Sequence, residues 1–458
     1  MCGIFGVVDS KPVDRERCLT ALDTLQHRGP DQWGEWHQAG AFIGHKRLSI
    51  IDLSEHGRQP MTSGDTVIAV NGEIYNFLEL RKELQSHFQF QSQSDSEVIL
   101  HGYRAWGIDK LVERLDGMYA MAIYDQSEQA LYLVRDHFGK KPLFYAQVGD
   151  RLVFGSEIKA LFAYDDSFRV FSYEGIKNWV YYRGSNRIST IYHNINRLSP
   201  GCYIKWTNGD LQVKRYYDVT DYATDGSEPH FDIRDTVNYM LDEAVTRRLM
   251  ADVPVGLNLS GGVDSSLIAY YLKENKIGRL HSFSIGFEDR KHARISEEPY
   301  ARHVAQEMNL EHHQFNITMQ DITAEFEQVI WLFDGMLDYP SAMANHLLYR
   351  YAKRYVTVVL TGEGAYELFC GYGKYLRADQ VGRQSSFVRR VMPAGAVELV
   401  DRLGGMGAAR TLYLARRYGG RPQQVLNDLN CYINPETFER LFGRVETTVL
   451  DNMQGGVI

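Results

Sequence analysis

No run of about 18 consecutive apolar residues occurs in the 458-residue chain, so no transmembrane helix is expected. The opening turns polar after Val8, too early for a signal peptide. Cysteine is scarce. Cys2, Cys18, Cys202, Cys370 and Cys431 are scattered without paired spacing and form no CxxC motif. That argues against both a cysteine-based zinc site and a disulfide scaffold, and a reducing, cytoplasmic setting is expected. Positive charge is not in excess: the net charge is -8. This gives no support to nucleic acid or an anionic membrane as a partner. Internal repeats, low-complexity tracts and a Walker A motif are also missing.

What is present suits a soluble protein of two or three domains, with 44% hydrophobic residues over a length too great for one core. Residues 2–200 read as a β-rich domain with interspersed helices, notably 76–88 and 96–105. A Gly149-Asp150 turn between two short apolar runs signals a hairpin. Residues 201–230 read as a connecting segment, whose stretch 218–230 is polar, acidic and turn-rich. From 231 to 375 strand and helix patterns alternate: helices at 233–250, 265–274, 297–308 and 342–353, strands at 253–259, 281–286 and 356–360. That alternation predicts a parallel α/β sheet. Residues 376–458 are helical but diffuse. Their arginines (Arg389, Arg390, Arg410, Arg416, Arg417) read as a solvated helix face.

Cys2 stands out within Met1-Cys2-Gly3-Ile4-Phe5-Gly6. Loss of Met1 would put a thiol and a free α-amine on one residue, a nucleophile beside a base of similar proton affinity. Three further segments supply chemistry to match. Arg47 carries a fork suited to a carboxylate. Asn71 and Gly72 offer a side-chain amide and a backbone N–H, the donors an oxyanion needs, with glycine allowing close approach. Asp95 could bind an α-ammonium group.

These segments appear in order with His27-Arg28-Gly29-Pro30-Asp31, His45 to Asp52, Asn71 to Asn76, and Arg135 to Leu143. Over residues 1–200 the chain resembles the glutaminase domain of class II glutamine amidotransferases, in particular the asparagine synthetase family. The resemblance implies a four-layer αββα fold. It makes Cys2 the nucleophile, Asn71 and Gly72 the oxyanion hole, and Arg47, Glu73 and Asp95, with Asn71 and Gly72, the glutamine binders.

A second motif, Ser260-Gly261-Gly262-Val263-Asp264-Ser265-Ser266, follows an apolar strand and opens a helix. Glycines turn backbone N–H groups toward an anion, the helix N-terminus adds partial positive charge, and Asp264 can hold magnesium. It resembles the pyrophosphate loop of ATP pyrophosphatases, which form an acyl-adenylate. That resemblance, over roughly 235–375, implies ATP contacts at Leu259, Ser260, Gly261, Gly262, Asp264, Ser265, Ile285, Thr361 and Gly362. It gives Glu363, in Thr361-Gly362-Glu363-Gly364-Ala365-Tyr366-Glu367-Leu368-Phe369-Cys370-Gly371-Tyr372, a catalytic part at the adenylate.

The chain departs from that family at four places. Tyr366 stands where the motif has a magnesium-holding Asp, and a neutral phenol is a poor ligand for a hard cation. Cys370 replaces a glycine. Asp334-Gly335-Met336 stands where many members have Asp-Glu-Pro, near the acceptor pocket. A lysine-bearing helix and an Arg-x-Pro-Phe-Leu-Asp stretch are not found before Ile458. Three readings follow. The first is a glutamine-dependent asparagine synthetase using glutamine, ATP, Mg²⁺ and aspartate, with a homodimer left open. The second is an amidotransferase for another carboxylate. The third is a glutaminase whose ATP half only binds.

Overall fold

The structure is a computed structural model that describes residues 1–182, 188–222, 232–275, 280–288, 297–337, 339, 341–381 and 441. The chain divides into a larger unit, 1–176 with 185–361, and a smaller one, 177–184 with 362–458. The larger unit carries all three sheets.

Two antiparallel six-stranded sheets form its first half. The first runs in the order 196–197, 144–148, 151–155, 3–8, 41–47, 32–38. The second runs 202–207 beside 210–215 at one edge, then 130–135, 117–125, 66–74 and 61–63. Strand Gly3–Val8 is buried along its whole length. Strand alternation explains this. Ile4 and Val8 face a core shared with Val67, Ala69, Leu131 and Ile204 of the second sheet. Phe5 turns the other way, against Phe42 and Tyr164. Helices Arg15–Asp23 and Ile158–Tyr164 cover that outer face. Helices Phe77–Leu84 and Glu97–Arg114 cover the outer face of the second sheet, burying Leu80, Leu84, Val98 and Ile99 against Ile68, Val70 and Met121. Helix, sheet, sheet, helix is the four-layer order expected from the sequence.

Residues 202–215 lie inside this half. The connecting segment expected at 201–230 therefore begins later: Ile204 and Trp206 are buried in the intersheet core, and Tyr203–Thr207 pairs with Ala130–Val134. The second helix expected at 96–105 runs on to Arg114 across a kink at Gly107, whose φ of 73° breaks the helical path. The hairpin at Gly149-Asp150 forms as read.

The second half is a four-stranded sheet in the order Glu311–Ile317, His281–Phe287, Val255–Asn258, Val358–Leu360, with every pairing parallel. Helices Ile233–Arg247, Val263–Glu274, Glu298–Glu307 and Ser341–Ala352 occupy the expected places with slightly shifted ends. Strand Glu311–Ile317 and helix Met319–Leu332 had no counterpart in the sequence reading. The former is too polar to look like a buried strand. The strand order turns back at Val255–Asn258, the switch point where such sheets bind ligands beyond the strand C-termini. The C-terminal arginines singled out above lie outside the described residues. Among the described residues, no helix is long and apolar enough to cross a membrane.

Candidate functional sites

One pocket gathers Cys2, Arg47, Asn71, Gly72, Glu73 and Asp95, all six amino-terminal candidates, together with Leu48, Gln59, Ser94 and Lys141. Cys2 immediately precedes strand Gly3–Val8, and Asn71 to Glu73 lie on strand Thr66–Ile74 of the facing sheet. Val67 and Ala69 point between the sheets. By strand alternation Asn71 points there too, toward the Cys2 side.

The Cys2 sulfur is held between the two backbone groups of Leu48: the Leu48 N–H donates to it at 3.4 Å, and it lies 3.7 Å from the Leu48 carbonyl. Arg28 fixes the Cys2 carbonyl at 2.8 Å and is itself anchored to Glu157 at 2.7 Å. Burial pushes the Cys2 thiol up, opposed by the terminal amine, the Leu48 N–H, Arg47 and Lys141. Burial also pulls the Met1 amine down to about 5. The Met1 amine is therefore a free base at neutral pH, the state a proton acceptor needs.

Asn71 is fully buried, and neither its Nδ2 nor its Oδ1 finds a hydrogen-bond partner among the described residues. Buried amides are almost always paired. An unpaired one lining a pocket beside a thiol leaves a hydrogen-bond donor open to that pocket. Gly72 adds a second donor. Val70 and Ile74, two residues to either side, send their N–H groups to Gln59 Oε1 and Asp95 Oδ2, both at 2.7 Å. The Gly72 N–H points to the same strand edge. Glycine is required here by packing rather than by substrate approach: a Cβ would lie 2.2 Å from the Met118 carbonyl oxygen.

Arg47 departs from the open fork expected. Its Nη1 donates to Gln32 and the Ser54 carbonyl at 2.7 and 3.1 Å. Its Nη2 donates to the Ile51 and Asp52 carbonyls at 3.1 and 2.5 Å. Arg47 thus braces the 48–54 loop that forms the pocket wall. Burial raises Asp95 to about 6, with Glu73 adding to it and the Ile74 N–H opposing. Burial raises Glu73 as well, opposed by Lys141. Lys141 was not singled out from the sequence. It is 6% exposed, and its charge opposes the burial shift of Glu73.

The second cluster sits at the sheet's switch point. Leu259 is wholly buried in the core below the loop, so only its backbone can meet a ligand. Ser260 and Ser265 lock the turn, with their hydroxyls 3.0 Å apart and the Ser260 hydroxyl accepting from the Gly262 N–H at 3.2 Å. Gly261 has φ 79°, and a Cβ would lie 2.4 Å from the Ala301 backbone nitrogen. Gly262 caps helix Val263–Glu274 without a side-chain acceptor, leaving first-turn N–H groups open to an anion. The Ser266 hydroxyl is buried and unpartnered among the described residues. Asp264 lies in that same first turn, partly exposed. Ile285 is half-buried on strand His281–Phe287, and Thr361 follows strand Val358–Leu360.

The second segment of the smaller unit begins at Gly362. Glu363 is exposed, Gly364 has φ 102°, and a short helix covers Ala365–Leu368. Tyr366 is exposed and lies 5.0 Å from the Tyr372 ring. Cys370 adopts φ 54°, a left-handed conformation natural to the glycine it replaces.

An amino-terminal thiol pocket in an αββα sandwich, followed by a phosphate-type loop on a parallel sheet, defines an amidotransferase joined to a nucleotide-using domain. Residues 1–217 match the family model for a glutamine amidotransferase domain, and residues 236–436 match the model for asparagine synthase. The chain is 34% identical to asparagine synthetase [glutamine-hydrolyzing] 1 of Bacillus subtilis, over 82% of this chain and 59% of that one. It is 36% identical to asparagine synthetase [glutamine-hydrolyzing] 3 of the same organism, over 83% and 64%. Identity to a putative asparagine synthetase [glutamine-hydrolyzing] 2 of Methanocaldococcus jannaschii is 30%, over 85% and 78%. The chain belongs to the glutamine-hydrolysing asparagine synthetase family. It spans about three-fifths of the length of the two Bacillus relatives.

Proposed function

We propose that the chain is a glutamine-dependent asparagine synthetase. The observation that carries its glutamine-hydrolysing half is the unpaired, fully buried amide of Asn71 lining the same pocket as Cys2. With Met1 removed, the Cys2 α-amine takes the thiol proton and the sulfur attacks the glutamine side-chain carbonyl. Asn71 Nδ2 and the Gly72 N–H receive the oxyanion. The C–N bond breaks, and ammonia leaves with the transferred proton. Water then cleaves the thioester to glutamate. Asp95 and Glu73 hold the substrate α-ammonium, while Arg47 braces the wall against which its carboxylate rests.

ATP is the second substrate. The uncapped turn at Gly262 and the free Ser266 hydroxyl suit its phosphates, and Asp264 is the carboxylate placed to hold Mg²⁺, which would neutralise phosphate charge. Aspartate is adenylated, pyrophosphate leaves, and ammonia displaces AMP to give asparagine, with Glu363 acting at that step. A free thiol nucleophile goes with a reducing cytoplasm.

Tyr366 supports a second reading, in which glutamine is hydrolysed without adenylation because one magnesium carboxylate is replaced by a phenol. The test is to incubate the protein with glutamine, ATP, magnesium and a panel of carboxylic acids, following glutamate, AMP and pyrophosphate together. Matched glutamate and pyrophosphate with aspartate supports the synthetase. Matched products with another acid replace the acceptor. Glutamate alone, unchanged by ATP, supports the second reading. No glutamate, with Cys2→Ala indistinguishable, overturns both.

A further inference from the structure

Three potential metal ligands converge at the end of the parallel sheet opposite the phosphate loop. His281 and Glu311 are register partners at the start of their strands, and His313 lies two residues along from Glu311 on the same face. His281 Nδ1 is 2.9 Å from His313 Nε2. The Glu311 carboxylate faces the two rings through different oxygens, with Oε2 3.8 Å from His281 Nδ1 and Oε1 3.7 Å from His313 Nε2. Both distances exceed hydrogen-bond reach, yet all three ligand atoms fall within 4.8 Å of one another.

Tetrahedral Zn²⁺ with ligand bonds of about 2.0–2.2 Å sets its donor atoms roughly 3.3–3.6 Å apart. Taken one ligand atom per residue, the three donors lie within 4.8 Å of one another, so shifts of about an ångström close the shell. Two imidazoles and a carboxylate are a recurrent zinc donor set. The rings are also held in place. His313 stacks on Phe283 at 5.3 Å, and its ring lies 4.1 Å from Tyr355. The site is half-buried, with side-chain exposures of 24, 29 and 13% for His281, Glu311 and His313, which leaves room for water as the fourth ligand. His312 makes the contrast. It faces the other side of the sheet, and its two nitrogens lie 3.0 and 3.1 Å from the Ser282 and Ser284 hydroxyls.

We propose that His281, Glu311 and His313 form a binding site for Zn²⁺ or a similar divalent transition metal. It ties two neighbouring parallel strands together at the sheet edge remote from the nucleotide. It stands apart from the nucleotide: the ligands lie at the strand N-termini, whereas the phosphate loop follows a strand C-terminus.

The test uses the full chain carrying Cys2→Ala, so that the pocket thiol does not compete for metal. Chelator-stripped protein is titrated with Co²⁺, read by its d–d absorption, and with Zn²⁺, read by metal analysis after dialysis and by thermal melting. About one equivalent of metal and a higher Tm are expected. His281→Ala and His313→Ala are each expected to weaken binding roughly 100-fold or more and to erase the Tm response. Glu311→Gln, which keeps the shape of the side chain, is expected to weaken binding while the unliganded Tm stays close to that of the parent. His312→Ala is expected to bind as the parent does. Failure of the parent to bind Zn²⁺ at micromolar concentration overturns the site. So does binding that survives His281→Ala, His313→Ala and Glu311→Gln alike.

Discussion

Asn71 separates activity from stability at the scale of a single residue. Its amide is buried and unpaired, so the folded protein carries a desolvated polar group without compensation. Replacing such a group by an apolar one of similar size is close to neutral or stabilising. Asn71→Leu is therefore expected to keep or raise Tm, while glutamate release falls about 10²–10³-fold, the cost of one oxyanion donor. Steady-state glutaminase assays beside thermal melts check both halves. Asp95 gives the pH counterpart. Its folded pKa is raised to about 6, above the 3.8 of an ordinary aspartate, mainly by burial. An acid with a raised folded pKa loses stability as pH climbs from its unfolded pKa through its folded one. That loss is on the order of 3 kcal/mol for a shift of this size. Asp95→Asn is thus expected to gain Tm over wild type between pH 4 and 7, measured in matched buffers. The KM for glutamine in wild type is expected to rise as pH falls below 6, because a protonated Asp95 cannot pair with an ammonium group.

The phosphate loop and the Gly364–Gly371 segment set the argument at the scale of elements. Gly261 meets two demands together, a left-handed φ and contact with the Ala301 and Tyr300 backbone. Gly261→Ala is expected to displace the loop and abolish ATP-dependent pyrophosphate release, with glutamate release from glutamine alone retained. Parallel assays of the two products decide it. Cys370 pays the opposite penalty, a side chain where φ is 54°. Cys370→Gly is expected to stabilise the protein by about 1 kcal/mol, read as a shift in denaturant midpoint. The elements themselves were largely legible in the sequence. The helices at 233–247, 263–274, 298–307 and 341–352 run for about three turns or more, long enough for their patterning to show. Strand Glu311–Ile317 escaped because Glu311, His312, His313 and Gln314 look solvent-borne. Residues 202–215 escaped because turn-rich sequence nearby masked a hairpin that only its partner strand defines. Lys141 lay within the Arg135 to Leu143 segment quoted for the resemblance, but nothing local gave it a role, because its charge acts on Glu73 and Cys2, which are remote in sequence.

For the whole larger unit, the two halves meet through a buried ionic chain. Arg28 holds the Cys2 carbonyl and pairs with Glu157, Lys159 pairs with Glu157 and with Asp334 at 3.0 Å, and Asp334 accepts from the Ile158 N–H at 2.8 Å. His27 packs edge-on against Trp331, with Lys159 over the same indole ring. Asp334 therefore acts as a joint between the sandwich and the parallel-sheet half. The sequence reading had placed it beside an acceptor pocket. Removing one member of such a chain strands a buried charge. Asp334→Ala is expected to destabilise the protein by about 3–5 kcal/mol, with added salt giving no rescue, as thermal melting would show.

The sequence by itself determined which chemical groups are available: a thiol at position 2, an Asn-Gly pair, and a Ser-Gly-Gly-x-Asp-Ser turn. Those properties are local and can be read residue by residue. Tertiary structure alone decided which groups are left without partners. It spent the Arg47 fork on the carbonyls of its own loop, left the Asn71 amide open, and raised Asp95 by burying it. It also brought His281 and His313 together across two strands 32 residues apart in sequence. Burial, pairing and cross-strand proximity depend on the whole packed chain, so no local stretch of sequence holds them.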